Sequence, residues 1–138
     1  MNSPAMKRHI VLDLGTTTLA GRLLSPAGEV LVEKQCSNPQ RQLGTDILLR
    51  LQQSHNGAGE RLQSLLIEGL RSLLAEVLNA TDCQPDDIAS VVAAGNSGMS
   101  CLLRNLPVAP LLFPPHKPPY KGLVSLPASE LDLGLPQP

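Results

Sequence analysis

Between two apolar runs, His9-Ile10-Val11-Leu12 and Leu19-Ala20-Gly21-Arg22-Leu23-Leu24, stands Asp13-Leu14-Gly15-Thr16-Thr17-Thr18. Only the four residues Gly15 to Thr18 lie between apolar Leu14 and Leu19, too few for a crossover helix, so the pattern predicts neighbouring strands joined by a tight hairpin. A tip made of Gly15 and the threonines offers backbone N–H groups and hydroxyls in one concave turn, which suits a phosphate. Asp13 closes the first strand, where a carboxylate can hold a metal ion through its water shell. The plainer alternative is an ordinary hairpin whose threonines follow strand propensity.

Asp-x-Gly-Thr-Thr-Thr between two strands resembles the first phosphate motif of the superfamily that joins actin, sugar kinases and heat-shock ATPases. It is not a Walker loop: no G-x-x-x-x-G-K-[ST] occurs, and no helix fits directly after Gly15.

The chain has 138 residues, one domain's worth and enough for a real core. Eleven basic residues face twelve acidic ones, so no cationic surface points to nucleic acid or an anionic membrane. Phe113 and Tyr120 are the only aromatic residues, which argues against a base-stacking platform. The N-terminus has no apolar segment of signal-peptide type, and no run approaches the ~18 apolar residues of a membrane span. A cytoplasmic protein is the expectation. Cys36, Cys83 and Cys101 form no C-x-x-C or ferredoxin-like spacing, so they read as reduced thiols with no iron–sulfur cluster within this chain.

Ser25-Pro26-Ala27-Gly28 has turn chemistry, and Glu29–Gln35 reads as a third strand, completing an antiparallel meander over His9–Gln35. Pro39 ends regular structure. Thr45 is placed to cap a helix that starts with Asp46 and carries Ile47, Leu48 and Leu51 on its apolar side. Asn56-Gly57-Ala58-Gly59 breaks or bends it. Glu60–Asn79 repeats leucine at three- and four-residue spacing, the signature of an amphipathic helix lying on a sheet; a leucine seam for a partner helix is the weaker reading. Asp82, Asp86 and Asp87 lack calcium-loop spacing and read as a solvated turn. Ile88–Ala94 is a strand entering Gly95-Asn96-Ser97-Gly98, then a short helix with Ser97 as its cap and Met99, Leu102, Leu103 and Leu106 on one face. Such a helix start attracts anions, though a bare turn shares the geometry. From Pro107 the prolines exclude helix and central strand, Leu111-Leu112-Phe113 can dock on the body, and His116 reads as exposed. Leu123–Leu126 is a weak strand signal.

The order of elements predicts an α/β layer with a mixed sheet that opens on the meander and has helices packed on it. The expected organisation is a disordered N-terminus at 1–8, a lobe at 9–106, and a Pro-rich extension and tail at 107–138.

Three segments narrow the resemblance. Asp13–Thr18 is similar to the superfamily's opening motif. Asn38-Pro39-Gln40-Arg41 with Gly44-Thr45-Asp46 resembles an Asn-Pro-Gln-x-x-x-Gly-x-Asp signature, and Ala94-Gly95-Asn96-Ser97-Gly98-Met99 resembles a Gly-Asn-Thr-Thr-Met turn. Together with the later Leu-Phe-Pro stretch they look like the actin-like (ASKHA superfamily) ATPase domain of reductive activators of corrinoid-dependent methyltransferases, over roughly residues 9–120. The resemblance implies a ribonuclease H-like lobe. It also implies a job: ATP helps drive a low-potential electron onto cobalt(II) corrinoid, restoring cobalt(I). Carried over, Asp13 would be the catalytic, magnesium-side acid acting through water. Gly15, Thr16, Thr17 and Thr18 would bind the ATP phosphates, and Gly95 and Asn96 would line the same cleft.

The chain departs from the pattern in places. Ser97-Gly98 stands where the family has Thr-Thr. The superfamily places ATP between two lobes, and relatives carry a ferredoxin-type domain, so the expectation is the N-terminal lobe only, a truncated or split half that is inactive without a second lobe. Its implied partners are that lobe or subunit, a corrinoid protein and a ferredoxin-type electron donor, with no nucleic acid and no membrane. The Asn38–Asp46 segment has no mechanistic role on this reading and is expected to face a partner. The alternatives are a lobe of a sugar-kinase-like or dehydratase-activator-like ATPase, or a non-catalytic interaction remnant.

Overall fold

In the computed structural model, which describes residues 7–116 and Leu133, strand β1 spans Arg8–Leu14, β2 Thr18–Leu24 and β3 Val30–Ser37. Side chains alternate across each strand. Ile10, Leu12 and Leu14 of β1 and Leu19 and Leu23 of β2 are buried, while Asp13 and Arg22 between them are exposed. β1 pairs antiparallel with β2, and β2 with β3, so the meander forms; its turn is closed by the Gly28 N–H donating to the Ser25 carbonyl at 2.9 Å. A fourth strand, β4 (Ile88–Gly95), joins parallel on the free side of β1. The sheet is therefore mixed, in the order β3-β2-β1-β4.

One long helix covers one face of this sheet. α2 (Gly59–Asn79) buries Leu62, Leu65, Leu66, Leu70, Leu73, Leu74, Val77 and Leu78, the full leucine stripe, and packs across β2 and β3. The stripe meets the sheet, so packing accounts for it without a partner helix. α1 (Ile47–Gln53) reaches α2 through an irregular turn at Ser54–Ala58 that bends at Gly57, as the Asn-Gly-Ala-Gly run predicts. α3 (Ser97–Arg104) lies beside α2 and contributes buried Met99, Cys101, Leu102 and Leu103. Val108 and Leu133 are buried in the same core.

Four local expectations need correction. Asp46, not Thr45, caps α1: its carboxylate accepts from the Leu49 N–H at 2.9 Å. Asn96, not Ser97, caps α3, accepting from the Met99 N–H at 2.8 Å. In both cases the shorter reach of the residue directly before the helix wins. The apolar side of α1 carries Arg50 and Leu51 inward, and Leu48 is exposed. The Pro-rich run does hold one short helix, α4 (Ala109–Leu112), because Pro110 sits in the first turn where its missing N–H is not needed. Leu111 and Leu112 dock on the core; Phe113 stays exposed, edge-on to His55. The weak strand at 123–126, Tyr120 and residues 1–6 of the expected N-terminal tail lie outside the described residues.

Replacing Asp46 with alanine leaves α1 without its cap, and a loss of about 1 kcal/mol is expected, read as a lower urea midpoint at unchanged slope.

Candidate functional site

The register of two strands decides what the hairpin tip lies next to. β1 and β4 run parallel with Asp13 opposite Ala94 and Leu14 opposite Gly95. The tip that follows β1 and the turn that follows β4 therefore leave the same end of the sheet, side by side. That carboxyl end is where α/β sheets place ligands. Asp13, Thr17, Thr18, Gly95 and Asn96 are exposed there, with Gly15 and Thr16 half-buried.

Gly15 has no room for a side chain: a Cβ would lie 2.2 Å from the Thr18 carbonyl oxygen. Gly95 is nearly as tight, because a Cβ would stand 2.9 Å from the Leu14 Cβ. Both glycines are thus required by close approach, at Gly15 within its own hairpin and at Gly95 between the end of β4 and Leu14 of β1.

Three successive carbonyls of the tip are tied to the body of the domain. The Asn38 side-chain amide donates to the Gly15 carbonyl at 3.0 Å, Arg50 Nη2 donates to that of Thr16 at 2.6 Å, and the Asn38 backbone N–H donates to that of Thr17 at 2.9 Å. In a planar trans peptide the next N–H points opposite to the carbonyl. Each following N–H, of Thr16, Thr17 and Thr18, therefore lies on the side of its peptide opposite the group that holds the carbonyl. Successive amides displayed in this way form an anion-binding concavity.

Asn38, which does much of the holding, comes from the segment expected to face a partner. Asn38 and Gln40 are each 0 % exposed. Asn38 Oδ1 accepts from the Gln40 N–H at 2.9 Å, and Gln40 Nε2 donates to the Leu62 carbonyl of α2 at 3.0 Å. The Asn-Pro-Gln turn is therefore a buried wedge between the tip and α2, while Arg41, Gln42, Thr45 and Asp46 of the same segment stay exposed. Buried amides need this degree of satisfaction. Arg50, 1 % exposed, completes the wedge through Nε to the Gly44 carbonyl at 2.9 Å. Sequence reasoning missed Arg50. Its one signal was a cation three residues after Ile47 and one before Leu51, on the apolar side of a helix.

Asn96 has a structural duty at the second loop, since its side-chain oxygen caps α3. Among the described residues, no group of three or more His, Cys, Asp or Glu side chains could hold a metal ion. A magnesium ion brought in with phosphate needs less, because one or two carboxylates and retained water suffice. Asp13 at the mouth of the tip fits that demand, and the outward amides fit phosphate oxygens. Burial pushes the Cys36 thiol up, reinforced by the charge of Glu76, and burial likewise raises that of Cys101 despite Arg104 nearby. At neutral pH both are expected to stay protonated and to alkylate slowly with iodoacetamide, with the rate rising only in strongly alkaline buffer.

The family model described as the RACo middle region matches residues 9–137. The chain belongs to that family. A search of the curated proteins finds no match. Among solved structures, this chain is similar to one described as "Reductive activator for corrinoid,iron-sulfur protein", with a TM-score of 0.89 and 22% sequence identity. The similarity covers 97% of this chain and 22% of that one. At this identity the likeness speaks for the fold, and the family model independently agrees with the resemblance read from Asp13–Thr18, Asn38–Asp46 and Ala94–Met99. No helix among the described residues is long and apolar enough to cross a membrane.

Proposed function

We propose that this domain is the phosphate-binding, ribonuclease H-like lobe of an actin-like ATPase that helps return a corrinoid protein from cobalt(II) to cobalt(I). The observation that carries this reading is the tip itself, with the Gly15, Thr16 and Thr17 carbonyls held by Asn38 and Arg50. On this reading the lobe comprises residues 9–106, with 107–138 as its extension. The amides and hydroxyls of Gly15, Thr16, Thr17 and Thr18 hold the ATP phosphates. Asp13 holds magnesium through water and orients that water toward the phosphates. Gly95 and Asn96 line the same cleft from the end of β4. Magnesium, when bound, neutralises the developing phosphate charge, and ATP supplies the free energy of the electron transfer.

One exposed wall offers only part of the contacts that a nucleotide needs and must still meet the ordering cost of binding. A second lobe, in the same protein or in a partner, closes the cleft. The corrinoid protein and a ferredoxin-type donor then act on the closed assembly, in the cytoplasm. The test is the assembled ATPase with its corrinoid partner and reductant, with the cobalt state followed by its optical spectrum. ATP-dependent appearance of cobalt(I) that is lost in Asp13→Ala is expected. Equal rates in the native protein and the variant would contradict the roles given to this lobe.

A further inference from the structure

Arg50 is buried, yet no carboxylate among the described residues forms an ion pair with it. Its donors go to neutral acceptors: the carbonyls of Gly44 and Thr16, and the Met99 sulfur at 3.8 Å from Nη1. Asp46, the nearby acid that favours its charge, is committed to capping α1. A buried cation held by neutral dipoles, with its nearest acid engaged elsewhere and not in contact with it, is costly to a fold. Such an arrangement persists where another requirement holds it.

The geometry shows what the requirement is. The Thr16–Thr17 peptide stands between the guanidinium and the outer face of the tip. Its carbonyl points at Arg50, and its N–H points the other way. A cation on one side and an anion on the other polarise the same peptide in the same sense, and hydrogen bonds in such a chain strengthen one another. Arg50 also reaches the second loop, because Met99 is the residue whose N–H Asn96 caps. One guanidinium thus touches the elements that carry both loops.

We propose that Arg50 is the positioning residue of the phosphate site and the buried counter-charge of its ligand, acting through the Thr16–Thr17 peptide without touching the nucleotide. The inference rests on the phosphate-binding reading above and adds the source of its positive field. The ligand class is a polyphosphate anion, and the charge on Arg50 favours the more highly charged member, ATP over ADP.

The test is a titration of the full chain with magnesium-ATP, followed by the amide and arginine side-chain signals in nitrogen-resolved NMR. Arg50→Gln keeps an amide donor and loses the charge, so its Kd is expected to rise about tenfold or more. Arg50→Lys keeps the charge and loses the fork, so it is expected to recover much of that loss and to keep the ATP-over-ADP preference. A purely structural Arg50 predicts that the two folded variants bind alike. Should both variants unfold, the native chain still decides: the Arg50 Nε–H signal is expected to shift on saturation, while that of the exposed Arg22 stays. If the Gly15–Thr18 amides shift but Arg50 Nε–H does not, or if folded Arg50→Gln binds within about twofold of native, the inference falls and the phosphate site stands. If those amides do not shift at all, both fall.

Discussion

Gly15→Ala is expected to remove phosphate binding and to destabilise the domain by about 2–3 kcal/mol. The added Cβ would stand 2.2 Å from the Thr18 carbonyl oxygen. That neighbour is backbone, held between the tip and β2, so it cannot swing aside as a side chain would. Relief requires the hairpin to open. Opening pulls the Thr16 and Thr17 carbonyls off Arg50 and Asn38, and with them the outward set of the following amides is lost. Urea unfolding reads the first effect and a magnesium-ATP titration reads the second. Native stability with native binding would mean that the tip is not the tight turn described here.

Asn38→Ala is the second large effect. Asn38 is fully buried, and its side chain makes three bonds that alanine cannot replace, from Nδ2 to the Gly15 carbonyl and to Gln40 Oε1, and to Oδ1 from the Gln40 N–H. Each buried group left without a partner costs about 1–3 kcal/mol, so a total loss of about 2–5 kcal/mol is expected. Its backbone bond to Thr17 survives in principle, which separates this variant from Gly15→Ala. Asn38→Ala is expected to weaken phosphate binding while leaving it measurable in whatever fraction folds. Stability within about 0.5 kcal/mol of native would show that the wedge is not load-carrying for the tip.

Much of the fold follows from local pattern. The hairpin, the third strand and the leucine stripe of α2 each announce their period, and period is what sets strand and helix. The pairing of β4 with β1 is another matter. It follows from the return of the chain through α1 and α2, and no local signal in Ile88–Gly95 states its register. That register is what brings Gly95 and Asn96 beside Asp13 and Gly15. The supporting shell was less legible still. Asn38, Gln40 and Arg50 are polar residues that sequence logic assigns to the surface, and their burial depends on carbonyls supplied by distant elements: Gly15, Leu62, and Gly44 with Thr16. The misplaced caps at Thr45 and Ser97 have a simpler cause. Two capable residues stood in succession, and which of them stands directly before the helix with an extended backbone, Asp46 in one case and Asn96 in the other, decides between them.

The central claim is that Asp13 through Thr18 is one wall of a nucleotide cleft whose other near edge is Gly95-Asn96. The most direct measurement is the pattern of backbone amide shifts across the chain on adding ATP with and without magnesium. The expected result is shifts concentrated at Gly15–Thr18 and at Gly95 and Asn96, with a magnesium dependence that disappears in Asp13→Ala. Shifts scattered over the surface, absent at millimolar ATP, or unchanged by the loss of Asp13 would contradict it.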